Sequence, residues 1–286
     1  MKDINKSAQI KLTISRIVVY AILIFLSFLC LFFFYLMFIN STRSHAQLQG
    51  GFTLIPSNNF FTNFKNAWND SDINIPVGMK NSFVVALLSG LLTTYFSALT
   101  AYGTYVYNFK LKKFAHLFIL AIMMIPSQVS AVGFIQLAFK YGLTNKLWVL
   151  IVPSIAAPAV YFYMRQYLEA TLPLEMVEAA RIDGANEFKI FNQVVLPIMK
   201  PAIAVQMIFS FVGSWNNYFM PSLLLNKPNV KTVPVMIATL RSADYSKFDM
   251  GKVYMLMLMA ILPVMVIYVI LSKSIIKGVT SGSVKG

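Results

Sequence analysis

The chain has 286 residues, of which 58% are hydrophobic and only 12% are charged, and its mean hydropathy is +0.67. A soluble domain of this length needs far more charge to cover its surface, so the composition indicates an integral membrane protein. The formal net charge is +14, but the 24 lysines and arginines are scattered, without a dense patch or a nucleic-acid motif, which argues against nucleic-acid binding.

The N-terminal segment MKDINKSAQIKLTISR is basic and precedes a long apolar run. It lacks a small-x-small cleavage site, so we predict an uncleaved first span rather than a removed signal peptide. Cys30, the only cysteine, lies in that run, which excludes an intrachain disulfide and a cysteine-based metal site. His45 and His116 are isolated from each other and from carboxylates, so we expect no metal site.

Six apolar stretches are long enough to cross the hydrocarbon core, since a spanning helix needs about 20 residues. They cover residues 17–39, 83–107, 117–139, 147–164, 201–219 and 253–271. We therefore predict an all-α polytopic membrane protein with six transmembrane helices, forming one transmembrane domain over residues 1–286. Pro153 and Pro158 interrupt the fourth span and predict a kink that neighbouring helices must accommodate.

The distribution of basic residues predicts the orientation. The N-terminus and the short loop NFKLKKF at residues 108–114 are both rich in lysine or arginine, which favours the cytoplasmic side. Six spans put both termini on the same side, so both are predicted to be cytoplasmic. Residues 173–197, between the fourth and fifth spans, then also face the cytoplasm, while residues 40–80 and 220–252 face outward.

Residues 173–197 contain most of the few glutamates of an acid-poor chain. All four glutamates lie at or just before this stretch, at Glu169, Glu175, Glu178 and Glu187. Helical spacing from residue 174 to 183 places Met176, Val177 and Ala180 on one side. The opposite side carries Glu175, Glu178 and Arg181.

A glycine turn and a second helix are predicted to complete this segment. Asp183-Gly184 is a plausible helix stop, because glycine adopts the left-handed conformation at low cost. A second helix follows, with Phe188, Phe191 and Val195 on its apolar face. Pro197 marks its exit, and Pro201 is predicted to open the fifth span.

Two interpretations fit this helix–turn–helix segment. The first is an interfacial connector between two spans. However, a helix that binds anionic lipid usually carries lysine and arginine on its polar face, whereas this one is acidic. The charge pattern therefore favours the second interpretation, a docking element for another protein.

The same segment resembles a known family motif. Glu178-Ala179-Ala180, three residues, Gly184, nine residues and then Val194-Val195-Leu196-Pro197 resemble the EAA loop of ABC-importer permeases, with valine in place of isoleucine at position 194. The extended form EAARIDGA at residues 178–185 is similar to the carbohydrate-importer branch, the maltose-type, MalG-like inner-membrane subunits of the binding-protein-dependent transport family. Further similarities lie at Asn81-Ser82, Tyr102, Met124-Ile125-Pro126 and Trp215-Asn216-Asn217.

The resemblance implies a coupling helix that docks into a separate ATPase subunit. The matching positions are Glu178, Ala179, Ala180, Asp183, Gly184, Ala185, Leu196 and Pro197. It also implies a dimeric ABC ATPase holding ATP–Mg, a second, MalF-like permease and an extracytoplasmic solute-binding protein. The chain itself is expected to be non-catalytic and to bind no cofactor, because G-x-x-x-x-G-K-[S/T] does not occur in its sequence.

The solute pathway is less clearly marked. No apolar run carries an ionisable residue near its middle, which argues against a proton relay or a voltage sensor. Neutral polar residues in the spans are Ser89, Thr93, Ser97, Thr100, Gln128, Gln136 and Gln206. They suit an uncharged, hydroxyl-rich solute, although helix–helix packing is the better interpretation of the Ser89–Thr100 stripe. The resemblance adds Trp215, Asn216, Asn217 and Tyr218 as receptor-docking or pathway candidates.

These observations predict the permease subunit of an ATP-driven ABC importer for a sugar or oligosaccharide, in the bacterial inner membrane, working by alternating access. One alternative is an importer for a non-sugar solute, such as an amino acid or a phosphonate. Another is a non-transporting membrane scaffold that recruits a cytoplasmic partner through residues 173–197.

Overall fold

The computed structural model describes residues 2–70, 73–241 and 249–283, with side chains for residues 12–70, 73–239 and 249–270. Within these ranges the chain is helical and forms no strand, so the all-α class is confirmed. The α-helices are α1 Lys2–Ser41, α2 His45–Gln49, α3 Phe60–Trp68, α4 Ile75–Val106, α5 Lys112–Met123, α6 Ser127–Lys140, α7 Trp148–Ile151, α8 Pro158–Thr171, α9 Leu174–Ile182, α10 Glu187–Ile190, α11 Leu196–Trp215, α12 Phe219–Leu224, α13 Val233–Arg241 and α14 Met250–Ser283.

Shorter helical turns connect some of these elements. Two are 3₁₀ turns, at Val152–Ile155 and Pro228–Val230, and one is a π-helical turn at Phe191–Val195. Part of the predicted outer segment 220–252, residues 242–248, lies outside the described residues, as do both chain ends, residue 1 and residues 284–286.

In the described part of the chain, five helical stretches are long and apolar enough to cross a membrane. They are Leu12–Ser41, Ile75–Val106, Trp148–Thr171, Glu187–Trp215 and Met250–Ile270. The predicted third span differs, because α5 and α6 are bent by 93° at the break between them and make a sixth span only if the pair is counted as one. The polytopic membrane class is thus confirmed.

Proline explains both broken helices. Pro126 has non-helical backbone angles and directly precedes α6. Its ring disfavours the helical conformation of the preceding residue, and it has no N–H to donate, so α5 ends before it. The fourth stretch passes through a 3₁₀ turn and the non-helical Ala156 and Ala157 before Pro158 starts α8. The predicted interruption of this span is confirmed.

The fifth span begins earlier than predicted. Pro201 lies inside α11 and does not open it, because the helix is continuous from Glu187. The π-helical turn ends two residues before Pro197, and the Leu196 N–H donates to the carbonyl of Phe191. A wide turn at this point accommodates a residue that has no N–H of its own, so the chain stays helical past both prolines. Similarly, α4 begins at Ile75 rather than at residue 83.

The contacts divide the chain into two compact units. The larger comprises residues 70–242 and 260–286 and is built around α4, which packs against α11 and α8. Small residues let these helices approach closely. A Cβ added to Gly90 would lie 2.8 Å from the sulfur of Met207, too close for any other residue at position 90 unless that side chain moves.

The smaller unit comprises residues 1–69 and 243–259. In its described part, residues 40–69 fold back on the end of α1 through side-chain-to-backbone hydrogen bonds. The buried Asn63 amide donates to the carbonyls of Ser41 and Arg43 at 2.8 and 2.9 Å. Gly251 packs beside this contact, where an added Cβ would lie 2.6 Å from the Arg43 carbonyl oxygen. His45 accepts a hydrogen bond from the Met250 N–H.

Candidate functional site

The segment of residues 173–197, here called the hairpin, has the predicted order of helix, glycine turn and helix, but the second helix continues past Pro197. The first helix, α9, starts after Pro173 and ends at Ile182, and Gly184 has a φ of +78°. The Ala185 N–H donates to the Ala180 carbonyl at 3.1 Å, and the Gly184 N–H to the Arg181 carbonyl at 3.0 Å. This pair of bonds is the Schellman motif, in which a left-handed residue closes the end of a helix. The glycine stop is confirmed.

The buried face of α9 is narrower than predicted. Val177 is buried and Ala180 packs partly against the core, as expected. Met176, however, is 44% exposed, although the sequence placed it with these two residues. Only the part of the α9 surface between positions 177 and 180 packs against the core. Position 176 lies about a quarter turn from the middle of that surface.

The second helix of the hairpin is capped by Asn186, whose side-chain oxygen accepts a hydrogen bond from the Lys189 N–H at 2.9 Å. Phe191 and Val195 are buried, as predicted, but Phe188 is 72% exposed and Ile190 is fully buried. The prediction for Phe188 was therefore wrong. The buried face is centred between Ile190 and Phe191, and Phe188 points about a quarter turn to the side of it.

The hairpin shares one hydrophobic core with three spanning helices. Val177 of α9 and Phe191 of the π-helical turn belong to the same buried cluster as Tyr102 of α4, Leu168 of α8 and Met199 of α11. Burying apolar side chains together stabilises such a cluster by roughly 1.5–3 kcal/mol per large residue. The hairpin is therefore part of the folded bundle and not a loosely attached loop.

A polar cluster joins the hairpin to the end of α4. The Glu187 carboxylate accepts a hydrogen bond from the Tyr102 hydroxyl at 2.7 Å and another from the Arg181 guanidinium at 2.7 Å. The Arg181 guanidinium also lies over the ring of Tyr107, 5.5 Å from its centroid. One carboxylate thus connects both arms of the hairpin and α4.

The two contacts of Glu187 differ in strength. Arg181 and Glu187 are each more than a third exposed, and ion pairs of that kind contribute only about 0–1 kcal/mol. The hydrogen bond from Tyr102 comes from a residue that is 2% exposed, and bonds to charged groups contribute about 1.5–3 kcal/mol. The hydrogen bond to Glu187 also raises the pKa of Arg181, which remains charged at any physiological pH.

The side of the hairpin that faces away from the core carries a mixed apolar and acidic surface, here called the free face. It consists of Glu175, Met176, Glu178, Ala179, Ile182 and Phe188. Ile182 is 86% exposed, which is unusual for an isoleucine. Glu178 makes no ion pair among the described residues. Adjacent exposed apolar side chains rimmed by charge are typical of a protein-docking surface.

The motif residues are divided between this surface and the core. Ala179 and Asp183 are exposed beside Glu178, whereas Ala180 and Ala185 pack against the core. Leu196 also packs against it, and Pro197 is exposed. The two alanines of the motif thus serve different sides, which the sequence pattern alone does not reveal.

Two cavities open where the broken helices meet α4. The first has a volume of about 630 Å³, and its lining includes Ser97, Thr100, Ser127, Ser130 and Tyr161. The second has a volume of about 330 Å³, shares Ser127 and Ser130 with the first, and also reaches Ser214 and Asn217. The residues that line these two cavities include hydroxyls and one amide and no charged side chain.

The small polar stripe on α4 serves mainly to pack helices. Thr93 is buried and donates to the Ser154 carbonyl at 2.8 Å, which holds the break in the fourth span against α4. In the described part of the chain, the buried hydroxyls of Ser89 and Ser97 make no hydrogen bond. Of the stripe, Ser97 and Thr100 line the first of the two cavities described above.

The remaining pathway candidates differ in their exposure. Trp215 is buried, stacks on Phe211 and donates its indole N–H to the Ala260 carbonyl at 3.0 Å. Asn216, Asn217 and Tyr218 are exposed beyond the end of α11. Gln128 is exposed and Gln206 is half-buried, and neither lines the two cavities described above.

Sequence reasoning missed the role of Glu187 and treated it as one more acid of the hairpin. Its partner Tyr102 is 85 residues away in the sequence. The available signal was weak: Glu187 follows directly after Asn186, a good N-cap residue, so it had to lie in the first helical turn.

A helical membrane protein with an exposed hairpin built into its core and neutral cavities beside broken helices has the architecture of a transport permease. The chain belongs to the family of binding-protein-dependent transport system inner membrane components, whose sequence pattern matches residues 84–278. It is therefore a permease subunit of an ABC importer and not the catalytic subunit, as the motif at residues 178–197 predicted.

Individual relatives cover nearly the whole chain. The arabinooligosaccharides transport system permease protein AraQ of Halalkalibacterium halodurans is 32% identical over 92% of this chain and 94% of its own length. The lactose transport system permease protein LacG of Rhizobium radiobacter is 30% identical over 94% and 96%. A crystal structure of a bacterial ABC transporter involved in alginate import has the same fold, with a TM-score of 0.79, 21% identity and coverage of 91% of this chain and 96% of that chain.

Proposed function

We propose that this permease imports an uncharged sugar or oligosaccharide, delivered by an extracytoplasmic solute-binding protein, by alternating access. Support for the solute class comes from the names of relatives that transport arabinooligosaccharides and lactose. The neutral lining of both cavities agrees with it. Hydroxyl and amide groups form hydrogen bonds with a sugar without imposing the desolvation of a charge.

The observation that carries the proposal is the free face of the hairpin. A separate ATPase, which binds ATP–Mg, docks on it. Ala179 is small enough for close approach, and Ile182 and Phe188 offer apolar contacts. Glu178 is exposed and available to pair with a basic residue of that ATPase. Since the same hairpin is packed into the core of α4, α8 and α11, movement of the ATPase reaches the spanning helices.

The rest of the assembly follows from this arrangement. A second, MalF-like permease faces the cavities, and the two permeases together enclose the solute pathway. Asn216, Asn217 and Tyr218, which are exposed, contribute to docking of the solute-binding protein, and buried Trp215 positions them. In this proposal the chain acts as one transmembrane domain with both termini in the cytoplasm.

Uptake into proteoliposomes tests the function directly. The reconstituted system contains this chain, a second permease, an ATPase and a solute-binding protein. Labelled arabinooligosaccharide, lactose and maltodextrin are offered, with an amino acid as the contrasting solute. We expect ATP-dependent uptake of one of the sugars. Uptake of the amino acid alone would overturn the solute class, and intact docking without any uptake would favour a scaffold.

Variants in the cavities identify the pathway. We expect Ser127→Leu and Ser130→Leu to reduce uptake at least about tenfold, because each adds a bulky side chain where the two cavities meet. Ser57→Leu, in the predicted outer segment and not among the residues that line either cavity, is the matched control. If the cavity variants transport normally, the solute takes another route.

A further inference from the structure

We propose that the Glu187 carboxylate, held between Arg181 of α9 and Tyr102 of α4, is the link through which displacement of the hairpin reaches α4. This inference rests on the proposed function, since it assigns the step by which ATPase movement enters the spanning helices. Glu187 is here a positioning residue that contacts neither nucleotide nor solute.

Arg181, Glu187 and Tyr102 each stand at the end of a helix. Arg181 stands in the last turn of α9, Glu187 in the first turn of α10, and Tyr102 in the last turns of α4. Both hydrogen bonds to the carboxylate measure 2.7 Å. The carboxylate therefore joins the two arms of the hairpin across the glycine turn and fixes both arms to the helix at the centre of the larger unit.

The turn, the helix cap and the buried ring that surround these two hydrogen bonds are rigid. The Gly184 turn closes the end of α9, and the Asn186 side chain caps α10, so the two arms move together. Tyr102 is buried, and its ring lies 5.6 Å from the ring of Phe191, which follows α10 in the hairpin. The phenol hydroxyl cannot follow the carboxylate independently, so a shift of Glu187 is passed to the backbone of α4.

The Glu187 link differs in kind from the apolar core beside it. Val177 and Phe191 also connect the hairpin to the spanning helices, but apolar contacts do not single out one direction of attachment. Hydrogen bonds fix distance and direction, and bonds to an ionised group are shorter and stronger than neutral ones. The core keeps the hairpin attached, whereas the Glu187 bonds set its register on α4.

The test compares uptake with ATP hydrolysis in the reconstituted transporter. Glu187→Ala and Tyr102→Phe are expected to keep ATPase co-purification and to change hydrolysis by less than about twofold, while uptake per ATP hydrolysed falls about fivefold or more. The double variant is expected to lose no more than Glu187→Ala alone, because both remove the same link. A purely structural role would lower yield and thermal stability without changing this ratio.

The chain supplies a matched control. Arg165 and Glu169 of α8 form an ion pair at 2.9 Å within one helix, and Glu169→Ala removes its carboxylate while leaving both bonds of Glu187 in place. Its uptake per ATP is expected to equal that of the unaltered protein. Should Glu187→Ala fail to fold, uptake per ATP hydrolysed in Tyr102→Phe tests the link by itself, since this variant deletes one hydroxyl and keeps the buried ring.

The possible outcomes are distinct. An unchanged ratio in Tyr102→Phe overturns the inference, as does loss of ATPase binding in Glu187→Ala, which would make Glu187 a docking residue. Neither result affects the proposed function. That proposal fails only if the unaltered transporter imports no sugar.

Discussion

The hairpin of residues 173–197 and the helix breaks at residues 124–126 and 152–157 both interrupt regular helices, but they treat the interruption differently. In the hairpin, a left-handed glycine closes the end of α9 and an asparagine caps the start of α10. A carboxylate of α10 then binds α4. At the breaks, prolines end the helices, and cavities of about 630 and 330 Å³ lie beside them.

This difference suits the hairpin to transmit movement and the helix breaks to hold a solute. A turn whose hydrogen bonds are closed, resting on a continuous core, moves as a unit. Discontinuous helices with nearby cavities offer exposed backbone and space, the features found at solute sites of other transporters. A single chain therefore contains a stiff end suited to receive force and an interrupted region suited to receive solute.

The largest expected effect comes from the free face. Ala179→Arg places a long cation on the surface where we propose that the ATPase docks, so we expect ATPase affinity to fall at least about tenfold, or about 1.4 kcal/mol. Thermal stability is expected to remain unchanged because Ala179 is exposed. Co-purification and isothermal titration measure the loss.

Ala46→Arg makes the same substitution at an exposed alanine of α2, on the predicted outer side, and is expected to bind the ATPase normally. If both variants bind the ATPase equally well, the docking surface lies elsewhere and the hairpin is not the region that receives force from the ATPase.

A smaller effect is expected at the glycine turn. Gly184 has free space around it, so substitution acts through its φ of +78° and not through a clash. Gly184→Ala is expected to cost about 1–2 kcal/mol of local stability, the penalty for a left-handed residue with a Cβ. Hydrogen exchange at the amides of Gly184 and Ala185 measures it.

Gly184→Asn is the informative companion, because asparagine tolerates the left-handed conformation. We expect it to retain more uptake than Gly184→Ala, and Gly184→Val to retain least. The reverse order would mean that side-chain size, and not backbone conformation, governs this position.

The smallest effect is expected in the interrupted region. Thr93→Val removes the hydrogen bond to the Ser154 carbonyl while keeping the side-chain shape. Such bonds between membrane helices contribute about 0.6 kcal/mol on average, so the thermal midpoint should fall by about 2 °C. Thr171→Val removes a hydrogen bond internal to α8 and is the control. An equal drop in both variants would show that Thr93 does not specifically hold the break.

Local features of the hairpin were predictable because their causes are local. Gly184 and Asn186 stop and start helices through bonds to neighbours within a few residues. The faces of the hairpin were predicted less well, and both Met176 and Phe188 proved exposed. A face is defined by what packs against it, and α4, α8 and α11 supply that surface from distant parts of the sequence.

The sequence by itself determined that this chain is helical, lies in a membrane and carries a helix–glycine–helix motif of importer permeases, because hydropathy and the turn residues act over short distances. Only the tertiary structure decided that α5 and α6 meet at 93°, that Pro201 lies within a continuous helix and that Glu187 joins Tyr102. Each of these depends on the direction in which one helix meets another, and a linear pattern contains no such direction.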